Sequence, residues 1–502
     1  MRHFSTHSMM GAALGLALAV RESQGAEPPP ILSLDPRVTN HLLIAVEGTN
    51  VAMLWHSLAI RDVRSGETKA DRQEWQLTLP ADTPPGLAVL RFDTTQKLGK
   101  PMVILVDPLP TAPERITTAP MDRATGRRLS PPQAVEGALT GNLPHYFQLD
   151  LATGASVDLE VVSQRLGYPL DSRLRILDST GKECARADES PLTGLDAALR
   201  FTAAQADRYW VELTDTRPAG DSVRPYRLRI GRFTPGPMRW LPSIHPLREE
   251  TRGITVRTVA GAMIETDVAS TELPLRVTGM ARPPGARDVF RFPAGANEKI
   301  RLDLADRSWG SAGDFIARLE DLKGQVLAET DLSKQTPASL THTFATEGFY
   351  RLVVEEATQA GGPGYDYQLQ LRRARPEFLL ELSETSLEGT PGSTVELKFT
   401  LQRHDYDGPV HLALTGLPGN VAVTGGEIAS KSTGGTLKLQ LPDDLHPGAP
   451  RMLTVIGRAD IDGIEVSTTG STRGSLRKQW MELNNPPPSL DGIVWLVVKS
   501  PP

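Results

Sequence analysis

Six aspartates give this chain its first candidate chemistry. Asp171, Asp178 and Asp188 recur 143 positions later as Asp314, Asp321 and Asp331. Calcium is held by about six to eight oxygen ligands, so carboxylates brought together from neighbouring turns could bind it. The same residues have a second reading. An Asp at the end of a strand bonds its own following backbone and caps the turn, which needs no metal. That reading accounts for both copies better, and no resident cofactor is expected. Two further strings, Asp405-Tyr406-Asp407-Gly408 and Asp460-Ile461-Asp462-Gly463, resemble the start of a calcium loop. Neither is followed by the glutamate that would complete coordination. Asp-Gly as a two-residue hairpin turn is the better account of both.

Other reactive groups are sparse. The ten histidines are scattered, and the closest pair beyond the N-terminal region, His404 and His411, lacks a third ligand at zinc spacing. The single cysteine, Cys184, excludes an internal disulfide. It aligns with Leu327 in the duplicated segment, so it is expected to be a small apolar core residue rather than a nucleophile. The sequence contains no Gly-x-Ser-x-Gly, His-Glu-x-x-His, Walker or dinucleotide-binding glycine motif. Net charge is −6 with mixed signs along the chain, and no basic patch supports nucleic-acid binding. No catalytic residue is expected. The tryptophans are spread over different units, and Trp210 and Trp309 are the two expected at the surface.

The elements that carry these residues are strands. The Asp recurrence belongs to a longer duplication. Phe147 falls on Phe290, Val157 on Ile300, Leu159 on Leu302 and Gly181 on Gly324; after a two-residue length change Tyr209 meets Tyr350 and Tyr226 meets Tyr367. A duplicated unit of roughly 100 residues is a structural module. Its segments FQLDL, SVDLEVV, SRLRILD, YWVELTD and YRLRIG alternate apolar and polar residues, the pattern of a sheet with one buried face. The four repeat tyrosines, Tyr209, Tyr226, Tyr350 and Tyr367, occupy the inward positions. With 44 glycines and 41 prolines between such segments, the expected fold class is all-β, a tandem array of about four β-sandwich units in a row.

The expected division of the chain follows. Residues 1–25 read as a secretory signal peptide, with a mildly basic start, a 12-residue apolar run from Met9 to Val20, and small residues before Ala26. Residues 28–108 form a first immunoglobulin-like sandwich, in which WQLTLP and LAVLRF alternate and Pro84-Pro85-Gly86 forces a turn. Residues 109–131 are a linker with a first loose strand, 132–232 the first repeat, 233–272 a second linker and 273–374 the second repeat. Residues 376–472 form a last immunoglobulin-like sandwich. In the tail, 473–502, the run IVWLVV reads as a buried strand that docks on the last sandwich or begins a further element. No other segment is long and apolar enough to span a bilayer, so no transmembrane segment is expected after signal cleavage.

The ordered motifs resemble a known family. Val135-Glu136-Gly137, Phe147, Leu177-Asp178-Ser179-Thr180-Gly181, Tyr209 to Asp215 and Tyr226 to Ile230 appear in the first copy. Val277-Thr278-Gly279, Phe290, Asp321 to Gly324, Tyr350 to Glu356 and Tyr367 to Leu371 appear in the second. This order resembles the bacterial pre-peptidase C-terminal domain, particularly in exported multidomain proteins of planctomycete-type bacteria. The segment 28–108 loosely resembles immunoglobulin-like domains of the IPT/TIG type. The resemblance implies small β-sandwiches appended to secreted hydrolases or built into surface proteins. Both copies depart from the family before the Phe strand, with His145-Tyr146 in one and Asp288-Val289 in the other, which weakens any carry-over of calcium binding. The expected function is a non-catalytic envelope or extracellular scaffold, adhesion or interaction module whose partner is a protein or glycan. The alternative is a carbohydrate- or matrix-binding accessory to a secreted hydrolase.

Overall fold

In the computed structural model the described residues are 16–18, 33–45, 53–69, 72–94, 97–112, 116, 122–140, 143–190, 192–217, 223–244, 255–259, 265–268, 272–306, 311–330, 338–481, 483 and 485–501. They form eight sheets, paired face to face into four sandwiches. The fold class is all-β. One short α-helix, Arg473–Gln479, lies in the tail. No helix among the described residues is long and apolar enough to cross a membrane.

Each sandwich has its own apolar core. The first is built on Leu77, Leu90, Ile104 and Val106. The repeats use matching positions: Phe147, Leu159, Val211 and Tyr226 in one, and Phe290, Leu302, Leu352 and Tyr367 in the other. The last uses Leu397, Leu439, Val455 and Leu496. Alternation explains the repeats well. His145–Leu151 and Ser172–Leu177 bury every second side chain, as the pleat requires.

The duplicated glycine and tyrosine explain each other. Gly137 lies opposite Tyr226 across neighbouring strands, and Gly279 lies opposite Tyr367. A Cβ on either glycine would overlap the tyrosine ring. The ring fills the space the glycine leaves, and its hydroxyl crosses to the other sheet. There it bonds His145 Nδ1 at 2.7 Å in the first repeat and the Asp288 carboxylate in the second. The other repeat tyrosine closes the corner where the chain crosses from one sheet to the other. Tyr209 donates to the Gln205 carbonyl at 2.9 Å and Tyr350 to that of Thr346 at 2.6 Å.

Several expectations need correction. The segment 233–272 is more than a linker, and 109–131 contains a short strand. Arg127–Arg128 pairs parallel with His145–Leu151, while Thr255–Val259 and Glu265–Val268 add parallel strands beside Leu275–Met280 and Arg287–Ala294. Asp462-Gly463 is a hairpin turn, both residues having positive φ, as a mirror-image turn requires. Asp407-Gly408 is not. The strands on either side, Thr394–His404 and Val410–Thr415, belong to opposite sheets, so this loop crosses over the sandwich. Cys184 is exposed because its strand, Glu183–Ala187, is a sheet edge with little cover. Of residues 1–25, only Leu16–Leu18 are described. They form a strand parallel to Thr39–Ala45.

The four units are not strung in a row. The strand Gly86–Asp93 is buried along its whole length, and Val494–Val498 likewise. A strand covered on both faces needs a second apolar partner. Alternate residues of Gly86–Asp93 point away from their own core. Leu87 packs with Val162, Leu166 and Leu483, and Val89 with Leu476, Ile493 and Trp495. The first sandwich therefore lies against the first repeat, the tail and the last sandwich together. Met238 and Trp240 of the connector complete this second core, and Leu87 donates to the Arg239 carbonyl at 2.7 Å.

Candidate functional site

The candidate site forms where the first sandwich meets the last. Arg91 and Asp93 are two apart on one strand and so share its outward face. Asp93 accepts from Arg91 Nε at 2.9 Å and Nη2 at 2.9 Å, and from the Gly99 amide at 2.8 Å. One carboxylate thus fixes the guanidinium and anchors the loop that carries Lys100. Burial pushes the Asp93 carboxyl up and the Arg91 guanidinium down, and their mutual attraction opposes both shifts.

The last sandwich supplies the opposite wall. On Val494–Val498, Val494, Leu496 and Val498 enter the core, which turns Trp495 outward. The Arg91 guanidinium carbon lies 3.5 Å from the centre of the Trp495 ring and 5.8 Å from that of Trp55. The two indoles meet edge to face at 84°. A desolvated cation over an aromatic face contributes roughly 2 kcal/mol. The tail helix closes the third side. Gln479 Nε2 donates to Thr385 Oγ1 at 2.6 Å, Ser475 Oγ donates to the Ser383 carbonyl at 2.6 Å, and Trp480 follows at the helix end.

These pieces enclose a cleft of about 420 Å³ lined by Arg91, Lys100, Thr385, Gln479, Trp480 and Trp495, among others. Its floor is apolar and aromatic, and its rim carries hydroxyl and amide groups. Among the described residues, Arg91 and Lys100 are the charged ones in its lining. A smaller cavity of about 120 Å³ lies nearby, between Leu87, Arg165, Trp240 and Ser311.

The six candidate aspartates do structural work where they are described. Asp178 accepts from the Thr180 amide at 2.9 Å, the Thr180 hydroxyl at 2.6 Å and the Lys182 amide at 3.0 Å. The Thr180 hydroxyl is the main cause holding its carboxyl below the usual range. Asp321 accepts from the Lys323 amide at 2.8 Å and the Gln325 amide at 2.9 Å, which is the same turn in the second copy. Gly181 and Gly324 follow with positive φ. Asp171 lies 3.5 Å from Arg217, and its carbonyl accepts from Thr216. The carbonyl of Asp314 accepts from Ala357 in the same way. Asp188 caps the Glu189 amide, and Asp331 lies outside the described residues. Among the described residues no three His, Cys, Asp or Glu side chains converge on a point that could hold a metal ion. His411 is exposed and pairs with Glu427 at 2.8 Å. Removing the capping carboxylate with Asp178→Ala should lower the melting temperature by a few degrees. The drop should be the same with and without millimolar calcium in paired thermal melts.

Of the two tryptophans expected at the surface, one can be placed. Trp210 is half-buried over Gly126, and Trp309 lies outside the described residues. Trp480 and Trp495, which line the cleft, were not singled out. The available signal was the arginine inside the apolar run LAVLRF, since a charge there must find a partner.

No family model matches the sequence, and no curated protein sequence matches it. Solved structures offer partial likenesses. The pre-peptidase C-terminal domain of collagenase from Bacillus anthracis is 13% identical and covers 21% of this chain and 93% of its own, with a TM-score of 0.18. The fibronectin(III)-like modules of Clostridium thermocellum CbhA are 12% identical over 44% of this chain and 94% of theirs, with a TM-score of 0.15. The ICAM-5 D1–D4 ectodomain fragment is 15% identical over 88% and 95%, with a TM-score of 0.14.

Proposed function

We propose that this chain is an exported, non-catalytic interaction protein that presents a binding surface from a fixed arrangement of β-sandwiches. The carrying observation is the second core around Gly86–Asp93, which fastens the first sandwich to the first repeat, the tail and the last sandwich. Buried ion pairs reinforce it. Arg227 joins Asp107 of the first sandwich to Glu136 of the first repeat at 2.9 and 3.0 Å. Arg239 of the connector pairs with Asp366 of the second repeat. A flexible spacer would keep its units apart. A body closed on itself instead holds loops from distant parts of the chain in one geometry, which suits recognition. Export rests on the apolar, weakly basic N-terminal stretch followed by Ser23 and Gly25. The repeat motifs favour an extracellular or envelope setting with a protein or glycan partner.

The test has two arms. Expressed at full length in a Gram-negative host, the chain should appear in the periplasm or medium, shortened at about residue 25. Purified, it should co-sediment with at least one insoluble polymer among peptidoglycan, chitin, cellulose and collagen, and should not react with hydrolase activity probes. Retention in the cytoplasm, absence of binding to every polymer, or labelling by a probe would each overturn the reading.

A further inference from the structure

We infer that one face and edge of the second repeat form a contact surface for a second copy of this chain, joined about a two-fold axis. The inference goes beyond the binding reading above and stands independently of export. The duplication supplies an internal comparison. In the second repeat Leu322, Val326 and Phe349 are 51%, 46% and 48% exposed, and Pro293 is exposed as well. Strand register puts them on one surface. Val326 pairs with Glu320, Glu320 with Arg351, and Phe349, two residues from Arg351, pairs with Pro293. Leu322 follows Glu320 by two residues, in the adjoining turn. The matching places in the first repeat are polar: Ser179, Glu183, Arg208 and Asp150. There Arg208 Nε donates to Asp150 at 3.0 Å, Ser179 Oγ to Asp207 at 2.8 Å, and Arg175 Nε to Glu183 at 2.7 Å. The two copies fold alike, so the sandwich itself does not require apolar side chains at these places. An exposed apolar cluster that one copy has, and the other replaces with polar pairs, marks a contact surface.

The edge beside this surface names the occupant. Val326–Glu329 is the outermost strand of a five-stranded sheet and pairs on one side only among the described residues. The matching edge of the first repeat, Glu183–Ala187, exposes Glu183 and Arg186, and charge on an edge strand guards it against pairing with another chain. The second repeat has Val326 where Glu183 stands. A bulge interrupts both edges, which limits any pairing to a few residues. Charge then favours self-pairing. Lys323 and Glu329 stand at equal distances along the chain on either side of Val326. Both are exposed, and neither side chain has an ion pair among the described residues. Antiparallel pairing centred on Val326 sets each Lys323 near the other copy's Glu329, twice by symmetry, and brings the two valines together. The surface is therefore complementary to itself, as a two-fold contact requires. Three exposed apolar side chains cover much less than the roughly 800 Å² per partner of a stable interface. The dimer should accordingly be weak, with a dissociation constant on the order of tens of micromolar.

Sedimentation velocity of the full chain, from about 1 µM to about 300 µM, tests this. The mean mass should rise from one chain toward two across that range. Val326→Glu and Phe349→Arg each install the first repeat's residue at an exposed position. Both should keep the fold, checked by circular dichroism, and should remain monomeric throughout. Lys323→Glu should weaken association roughly tenfold. Adding Glu329→Lys to it should restore association, because the exchanged charges again face each other across the axis. This charge exchange tests the same contact without touching an apolar residue. A single-chain mass at every concentration would overturn the inference. So would dimers that persist in Val326→Glu, or a doubly exchanged variant no tighter than Lys323→Glu alone. If the unmodified chain stays monomeric and binds some other molecule, and Val326→Glu loses that binding, the surface belongs to a different occupant and the second-copy assignment fails.

Discussion

Asp107→Ala should cost this protein roughly 3–5 kcal/mol, the range expected when one partner of a buried ion network is removed. Asp107 directly follows the last strand of the first sandwich, Met102–Val106, and is almost wholly buried. Its Oδ2 accepts from Arg227 Nε at 2.9 Å and Arg229 Nε at 3.2 Å, and its Oδ1 accepts from the Leu109 amide at 3.1 Å. Arg227 has no solvent exposure and also bonds Glu136, Thr111 and the Leu109 carbonyl. Arg229 pairs with Glu160, which in turn pairs with Arg165. Deleting the Asp107 carboxylate leaves two guanidiniums short of charge in a place water cannot reach. Asp107→Asn keeps the shape and one acceptor, so it should cost less. Urea unfolding followed by tryptophan fluorescence should show the difference. A loss under about 1 kcal/mol for the alanine variant would mean that water enters this junction. The second repeat is an internal control: Gln368 and Gln370 stand where the first has Arg227 and Arg229. The sandwich thus folds without the arginines, and their role is to join it to Asp107.

That junction shows what could be read from sequence and what could not. Alternation identified the strands of both repeats, because each has one wet and one dry face and the pleat transmits that directly into the residue order. Recurrence identified Tyr226 and Tyr367 as inward, and Asp178 and Asp321 as turn caps, because the face a strand residue takes and the capping of a turn are set by neighbours a few residues away. The packing between units had a weaker trace. MVILV and IVWLVV are continuous apolar runs, which signify burial on both faces. LAVLRF belongs with them, although it reads as alternating when Arg91 is counted as polar and outward. Arg91 is indeed outward from its own core, yet it lies against Trp495, about 400 positions away in sequence. No local pattern encodes such a contact. The cleft is therefore illegible for the same reason the array was expected to be linear: both depend on which outer faces meet.

The two repeats should respond to acid in opposite directions, and the difference lies in one aligned position. His145 and Asp288 occupy matching places, each bonded to the core tyrosine that covers the repeat glycine. Burial holds the His145 imidazole down to about 4. A depressed group gives stability that is present above its unfolded value near 6.5 and is lost as pH falls toward the folded value. At about 1.4 kcal/mol per pH unit, the first repeat should lose about 3 kcal/mol between those limits. Burial instead pushes the Asp288 carboxyl up, with the Tyr367 hydrogen bond offsetting part of the shift. A raised group gives stability that is present below its ordinary value of 3.8 and is lost as pH rises through the folded value. Acidification over that window therefore strengthens the second repeat at this position while it weakens the first. Hydrogen exchange, corrected for its intrinsic pH dependence, separates the two. Protection in Gln133–Thr140 and Val223–Gly231 should fall from pH 6.5 to 4, and protection in Leu275–Met280 and Asp366–Arg373 should hold or rise. His145→Asp should transfer the second repeat's behaviour to the first, because the tyrosine hydroxyl keeps a buried oxygen partner. If both repeats lost protection together, or if His145→Asp left the acid response of the first repeat in place, the inter-sheet bond would not be the titrating element.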